Sequence, residues 1–266
     1  MNWILLRLGD LTSVLPMTMK HLFASGITIL TCSVTTFADV SVKPAEMKII
    51  WDSLSNEFYG ANQGMHFSFH LNSDGKSLIG HSAADSDITV KAGGQDLGGK
   101  FNFWETFSKD RKTMRLEAAT EKLPERRASK FRLSGNIEVL LASKKVTKST
   151  EIKAFKKGDK VTLSDDFAFE IIGFSKPKPE WEDEALNINL EWKQDISLLA
   201  EVRFYDAEGK IIESREAGST TSESSATKMY ALKKKPEVFK IEMDFWEDIE
   251  TVTVPLKVNL SLSGAE

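Results

Sequence analysis

The amino-acid sequence predicts an all-β protein: two tandem immunoglobulin-like antiparallel β-sandwich halves that follow an N-terminal signal peptide. Apolar residues recur at every second position through most of the chain after residue 39, as in strands with one buried face. Gly, Asn and Asp residues that favour turns separate these segments, and short strands joined by such turns are typical of sandwiches. Two segments with the same alternation also recur in the same order, which indicates an internal repeat.

Residues 1–38 are predicted to contain an upstream extension followed by a signal peptide. Lys20 precedes an apolar stretch at 22–30, and small residues lead up to Ala38, as a signal peptidase requires. The apolar stretch is shorter than the roughly 20 residues that span a bilayer. The alternative, a buried N-terminal strand or helix, is disfavoured by the abrupt change to polar sequence at Asp39. We therefore expect cleavage after Ala38, a periplasmic or secreted location, and no stable membrane span in the mature protein.

Two further features of this segment affect its interpretation. Asp10 interrupts the apolar character of residues 1–18, so we interpret them as an extension upstream of the true start. Cys32, the single cysteine, lies inside the predicted signal. Thr31 before it is a poor match to lipoprotein processing, which we keep as an alternative. Cleavage removes this cysteine, so a disulfide framework is excluded in the mature protein.

The charge balance argues against a nucleic-acid partner. The formal net charge is −4, and removal of the first 38 residues changes it to −5, because they contain Arg7, Lys20 and one acid, Asp10. A nucleic-acid-binding face normally requires clustered basic residues on a basic domain. Hydrophobic residues make up 41% of the chain and charged residues 28%, which is ordinary for a soluble globular protein.

The strands are predicted from the alternation. In 64–71 and in 185–192, apolar residues alternate with polar ones, which places one side of each strand in a core. Further strands are predicted at 199–205, 238–243 and 252–262.

Turn chemistry supports the same fold class. Tight turns are predicted at 72–75 and 206–209, where Asn, Asp and Gly favour left-handed conformations. The glycine-rich sequence at 93–99 is interpreted as a hairpin loop, because no helix follows it. Helical periodicity is weak everywhere except in a short stretch at 111–122.

The repeat defines the predicted domains. The segment 65–71 matches 186–192 in phase, and the flanking apolar and turn residues follow in the same order. We therefore predict a first sandwich at 39–160 and a second at 161–266, each close to the usual size of an immunoglobulin-like domain. The boundary is expected near the lysine-rich stretch 144–160.

Few residues form a pattern that carries chemistry. His66 and His70 lie four positions apart, but on a strand this separates them by about 13 Å, too far to share one metal ion. The acidic clusters match no dedicated calcium loop, although a loop calcium site stays an alternative. The sequence contains no nucleophile elbow and no phosphate-binding loop. We predict no catalytic residue, no metal and no cofactor.

The strongest charge bias is a run of lysines that begins at residue 144. Such a run suits an acidic polysaccharide, an anionic lipid surface or an acidic protein. The competing interpretation, which we favour, is an exposed strand edge that lysine protects against aggregation. The residues are Lys144, Lys145, Lys148, Lys153, Lys156, Lys157 and Lys160.

Three tryptophans are the candidate binding residues. Exposed aromatic rings in sandwich loops stack on sugars or anchor protein partners, and we assign this role to Trp104, Trp181 and Trp246. For Trp246, a place at the end of a core is an equal alternative. Trp51 and Trp192 are predicted to lie in the cores.

From these features we expect an exported, non-catalytic envelope or secreted protein that binds a protein or a glycan. A structural spacer in an envelope assembly is the first alternative, and a hydrolase with paired carboxylates is the second. An exposed apolar or aromatic patch favours the binding protein, and a concave acidic face favours the hydrolase.

The signal peptide is testable by mass spectrometry of the native protein, with its cell fraction recorded. We expect an intact mass that begins at Asp39 and recovery from the periplasm or the medium. A cytoplasmic protein that retains residues 19–38 contradicts the prediction.

Overall fold

The fold is that of a computed structural model, which describes residues 4–7, 36–37, 39–50, 63–102, 105–120, 122–153, 155–164, 167–177, 184–222 and 224–261. These residues form antiparallel sheets and contain no helix, so the predicted all-β class is confirmed. Within this described part, accordingly, no helix has the length and hydropathy needed to cross a membrane.

The chain divides into two compact units, and two long strands contribute to both. Unit 1 comprises residues 1–142 and 249–266, and unit 2 comprises residues 143–248. The long strands are β10 (Lys130–Lys153) and β18 (Val238–Ser261), with 24 residues each. β10 begins in unit 1 and ends in unit 2, whereas β18 begins in unit 2 and ends in unit 1.

Among its described residues, unit 1 contains nine further strands. They are β1 (Ile4–Arg7), β2 (Thr36–Phe37), β3 (Val40–Ile50), β4 (Gly64–Ser73), β5 (Ser77–Ala92), β6 (Gln95–Gly98), β7 (Lys100–Phe101), β8 (Thr106–Phe107) and β9 (Thr113–Ala119). One sheet has the order β1-β3-β4-β9-β7, with β2 beside β3 and β8 beside β9. β10 pairs with β5, and β5 pairs with β6. Met65, Phe67, Phe69 and Leu71 of β4 are buried in the core, as the alternation predicted.

The described residues of unit 2 form seven further strands. They are β11 (Lys160–Ser164), β12 (Phe167–Ser175), β13 (Leu186–Trp192), β14 (Leu199–Asp206), β15 (Ile211–Ile212), β16 (Ser214–Thr221) and β17 (Ala226–Leu232). One sheet has the order β11-β12-β13-β17-β16. β18 pairs with β14, and β14 pairs with β15. Leu186, Ile188, Leu190 and Trp192 of β13 are buried, which confirms their predicted place in a core.

The observed units differ from the predicted domains, 39–160 and 161–266. The lysine-rich stretch is not a linker, because residues up to Lys153 continue β10 into unit 2. The strands predicted at 238–243 and 252–262 are one strand, β18, whose second part enters the core of unit 1. Alternation identified the apolar face of each segment, but it carries no information about which core that face enters.

Two local predictions have opposite outcomes. The turn at 206–209 joins β14 to β15, and Gly209 adopts the left-handed φ of 76° that such a turn requires. The helical periodicity at 111–122 does not correspond to a helix, because β9 (Thr113–Ala119) lies in this stretch. Met114, Leu116 and Ala118 are buried at every second position, which is the period of a strand.

Most of the predicted signal segment lies outside the described residues. The backbones of β1 and β2 pair with β3, and both strands fall within residues 1–38. Cys32 and Ala38 lie outside the described residues, as does Trp51. Signal cleavage and the lipoprotein alternative therefore stay predictions.

Truncation of Trp192 tests the core of unit 2. We expect Trp192→Ala to lower the free energy of unfolding by about 3–5 kcal/mol, because the indole is fully buried and its removal leaves a cavity. Glu191→Ala is the matched control on the same strand. It removes a pair with Lys193, whose side chain is 70% exposed, and is expected to cost at most about 1 kcal/mol. Equal losses in urea-induced unfolding would contradict the assignment of this core.

Candidate functional site

The structure places one of the three candidate tryptophans. Trp104 and Trp181 lie outside the described residues, so their binding role stays a prediction. Trp246 lies in β18 within unit 2 and is half-buried. The ammonium of Lys145 lies 5.8 Å from the centre of the Trp246 ring. The backbone N–H of Trp246 donates to the backbone carbonyl oxygen of Leu198 at 2.9 Å. Trp246 thus presents a partly accessible ring beside a cation.

Next to Trp246, a buried carboxylate organises the polar side of β14 and β18. The side chain of Asp244 is 2% exposed and accepts two hydrogen bonds from the guanidinium of Arg203, each at 2.7 Å. Thr147 donates a third hydrogen bond at 2.7 Å, and the Lys145 ammonium lies 2.9 Å away. Bidentate pairing with arginine is the strongest common way to hold a carboxylate.

These contacts change the proton affinity of both partners. The Arg203 hydrogen bonds hold the pKa of Asp244 well below its usual range, against the opposing effect of burial, and Thr147 and Lys145 act in the same direction. The hydrogen bonds to Asp244 likewise raise the pKa of Arg203. Both groups therefore stay charged over the whole physiological pH range, which suits a structural ion pair rather than a catalytic acid or base.

A second carboxylate extends this network along β14 and β18. Glu242 accepts hydrogen bonds from Lys240 at 2.6 Å and from the Tyr205 hydroxyl at 2.8 Å. Lys240, and then Tyr205, lower the pKa of Glu242. The Lys240 ammonium also lies 5.5 Å from the centre of the Tyr205 ring. Glu242 thus accepts hydrogen bonds from both neighbouring donors, Lys240 and Tyr205.

A polar cleft lies on a different part of unit 2, beside the hairpin formed by β16 and β17. It has a volume of about 570 Å³, and residues 193–197 form one wall. Lys193, Asp195 and Lys228 contribute charge. Seven hydroxyl side chains line it: Ser197, Ser219, Thr221, Ser222, Ser224, Ser225 and Thr227. A surface so rich in hydroxyls offers hydrogen bonds to a polar ligand and little apolar contact.

A smaller cleft of about 230 Å³ shares Lys228 with the first and lies between β14 and β16. Among the described residues, β15 pairs with Phe204 and Tyr205 of β14. Residues 199–202 of β14 extend beyond this pairing and line the cleft. Ser214 and Glu216 of β16 form the opposite side. Within the part of the chain that the structure describes, unit 2 is therefore open along one edge.

The backbone of β16 faces this opening. β16 ends its sheet, and within the described residues β17 is its strand neighbour. In an antiparallel ladder, alternate residues direct both N–H and C=O away from the neighbouring strand. Ser222 N–H donates to Ser225 C=O, and Lys233 N–H donates to Glu213 C=O, which fixes this alternation from both ends.

The alternation identifies the residues with outward backbone groups. An extra residue interrupts the ladder between Glu216 and Gly218, as in a β-bulge, so the spacing changes once along the strand. The outward residues are Ser214, Glu216, Ser219 and Thr221. All four also line the two clefts. The clefts therefore border a row of backbone donors and acceptors.

Charged side chains next to β16 are held by pairs within unit 2. Glu216 accepts a hydrogen bond from Lys228 at 2.9 Å, and Arg215 donates to Glu184 at 3.1 Å. The pair with Arg215 lowers the pKa of Glu184 against the opposing effect of burial. Burial raises the pKa of the Tyr230 hydroxyl at the floor of the smaller cleft.

Histidine and acidic side chains are the candidate metal ligands among the residues that the structure describes. No group of three or more His, Cys, Asp or Glu side chains there is arranged to hold a metal ion. His66 and His70 lie on β4, half-buried and exposed respectively. The side chain of His81 is 1% exposed and lies 3.5 Å from Glu105, so it is not accessible to a substrate.

Sequence reasoning missed the clefts, the open edge and the Asp244 network. The run of Ser and Thr residues at 219–227 was a usable signal for the hydroxyl-lined hairpin. Nothing in the sequence links Asp244 to Arg203 and Thr147, because these residues lie on separate strands of one sheet. Pairing across strands is set by register, which a single sequence does not reveal.

Comparison with known proteins finds no matching family model, and no curated protein matches the chain. Among solved structures, the chain is similar to a conserved domain protein from Bacillus anthracis, with 11% identity and a TM-score of 0.23. That match covers 89% of this chain and 92% of the other. A second match is described as manganese lipoxygenase of Gaeumannomyces graminis with a partial structure of zonadhesin of Komagataella pastoris. It has 9% identity, a TM-score of 0.18, and coverage of 75% and 88%.

The Asp244 network predicts a pH-dependent loss of stability. We expect Asp244→Asn to lower the free energy of unfolding at pH 7 by about 1.5–3 kcal/mol, because it removes the buried charged acceptor of Arg203. Arg203 then keeps Glu201, whose side chain is 53% exposed, and Glu242 at 3.5 Å. Because folding depresses the pKa of Asp244, its contribution is present above the unfolded-state value of about 4 and is lost as the pH falls further.

The measurement is urea-induced unfolding of the wild type and the variant between pH 7 and pH 2. The difference between them should shrink as the pH is lowered. A difference that is constant with pH would rule out the ion pair as its source. The control is Lys153→Ala, which is expected to change the free energy of unfolding little. Lys153 pairs with Glu151, and the Lys153 side chain is 76% exposed.

Proposed function

We propose that this chain is an exported, non-catalytic protein that binds another protein through the open edge of unit 2. The observation that carries the proposal is the coincidence of the clefts with the outward backbone groups of Ser214, Glu216, Ser219 and Thr221. Unpaired backbone groups on an edge strand are a template for an added strand, and backbone hydrogen bonds then supply much of the affinity.

A glycan is the second candidate ligand, because seven hydroxyl side chains line the larger cleft. The carboxylate-based hydrolase is disfavoured, since Asp244 and Glu242 are committed to ion pairs. The spacer alternative predicts no ligand at either cleft. Trp246 beside Lys145 is a separate candidate contact for either ligand class.

We also propose that each unit is an immunoglobulin-like sandwich and that the two arose by duplication. The support is a common strand order. β3, β4 and β9 are consecutive neighbours in unit 1, as are β12, β13 and β17 in unit 2. In each unit, one long strand also pairs with a hairpin, β5–β6 or β14–β15.

Substitutions at Ser219 separate the two ligand classes. Ser219→Pro removes an outward N–H, which an edge strand tolerates, and Ser219→Ala removes only the hydroxyl. Binding to a displayed library of eight-residue peptides should persist in Ser219→Ala and weaken about tenfold in Ser219→Pro, as expected for one lost hydrogen bond.

An array of purified glycans, probed with the same proteins, provides the second arm. A glycan-binding cleft should respond instead to loss of hydroxyls in Thr221→Val, Ser224→Ala and Thr227→Val combined. Circular dichroism and thermal unfolding establish that each variant is folded. Binding to neither library by a wild-type chain that also stays monomeric contradicts both candidates and favours the spacer.

A further inference from the structure

We propose that the open edge of β16 pairs with β16 of a second copy of this chain, which forms a symmetric dimer. This inference rests on the proposed function, because it names the partner for the same edge. It requires that the strand be self-complementary and that its charged residues and its bulge be compatible with edge pairing.

The outward backbone groups of β16 are self-complementary. Ser214, Glu216, Ser219 and Thr221 are separated by two, three and two positions, a spacing that reads the same in both directions. In an antiparallel pair, outward residues must face outward residues. The register that places Ser214 opposite Thr221 of the second copy pairs all four residues at once, and no other register does so.

The side chains fit this register. Glu216 faces Ser219 of the second copy, so like charges are not opposed. Glu216 is the charged residue of β16 nearest the two-fold axis, and Lys228 of the same chain neutralises its charge. Ser214 and Thr221, which face each other at the ends, are small hydroxyl residues that hydrogen-bond across strands. A two-fold arrangement of this kind is also the commonest symmetry of protein oligomers.

The edge carries only part of the usual protection. Natural edge strands commonly carry lysine or proline, and β16 contains neither; its charged residues, Arg215 and Glu216, are paired with Glu184 and Lys228. The second half of β10, in contrast, carries Lys144, Lys145, Lys148 and Lys153. β16 spans eight residues, and six of them are exposed. One bulge interrupts it, and in the proposed register the bulge lies at the two-fold axis.

Sedimentation velocity of the purified full chain from about 1 µM to about 1 mM tests the proposal. We expect a monomer–dimer equilibrium that Ser219→Ala leaves unchanged. Ser219→Pro should weaken it at least tenfold, because each copy loses one backbone hydrogen bond. A chain that stays monomeric throughout overturns the proposal, and so does a dimer that Ser219→Pro leaves intact.

Disulfide trapping tests the register. In a Cys32→Ser background, Ser214→Cys with Thr221→Cys should yield a covalent dimer on mild oxidation. Within one chain the two cysteines are about 23 Å apart along the strand, too far to bridge. The matched control, Ser214→Cys with Thr220→Cys, moves one side chain to the other face of the sheet and should not cross-link.

The two proposals fail in different ways. A monomeric chain that still binds peptides through Ser219-dependent backbone contacts overturns the dimer and leaves the protein-binding function in place. A dimer whose trapping follows the predicted register, in a chain that binds no library peptide, identifies the second copy as the partner of this edge. Cross-linking of the control pair equal to that of the test pair contradicts the proposed register.

Discussion

Both cores depend on two strands that change core along their length. Val254, Leu256, Val258 and Leu260 of β18 are buried in the core of unit 1, although β18 begins in unit 2. Ile152 of β10 is buried in the core of unit 2 in the same way. Neither core is therefore completed by one continuous stretch of chain. Because alternate residues of a strand face opposite sides, each long strand has to keep its register in both units for both cores to close.

This arrangement also accounts for the lysine-rich stretch. Lys144 pairs with Glu247 and Lys145 pairs with Asp244, both partners on β18. Lys148 donates to Ser164 and lies near the ring of Phe245. The first three lysines of the run thus serve contacts within unit 2. An unusual run of one charge in a sequence suggests an external partner, but here the strand beside it supplies much of the opposite charge.

The sequence predicted those features that depend on local periodicity. Alternation identified the buried faces of β4 and β13, and Gly209 marked a turn. In the stretch that contains β9, the alternation covers only seven residues and is accompanied by helical periodicity, so the strand was not identified. Alternation also divided β18 into two strands. The domain boundaries, the Asp244 network and the open edge all depend on which strands become neighbours. That choice follows from register and long-range packing, which residue patterns in one sequence do not specify.

The two polar regions of unit 2 differ in how their polar groups are satisfied. Around Asp244, arginine, lysine and threonine side chains satisfy the buried charge, so a ligand there would have to displace bonds that stabilise the fold. Along β16, the backbone groups of Ser219 and Thr221 are directed away from β17 and border the larger cleft, where the proposed strand or ligand would meet them. Replacement of water costs little when the incoming group offers matching donors and acceptors. This difference is the reason that the proposal places a partner along β16 and not around Asp244.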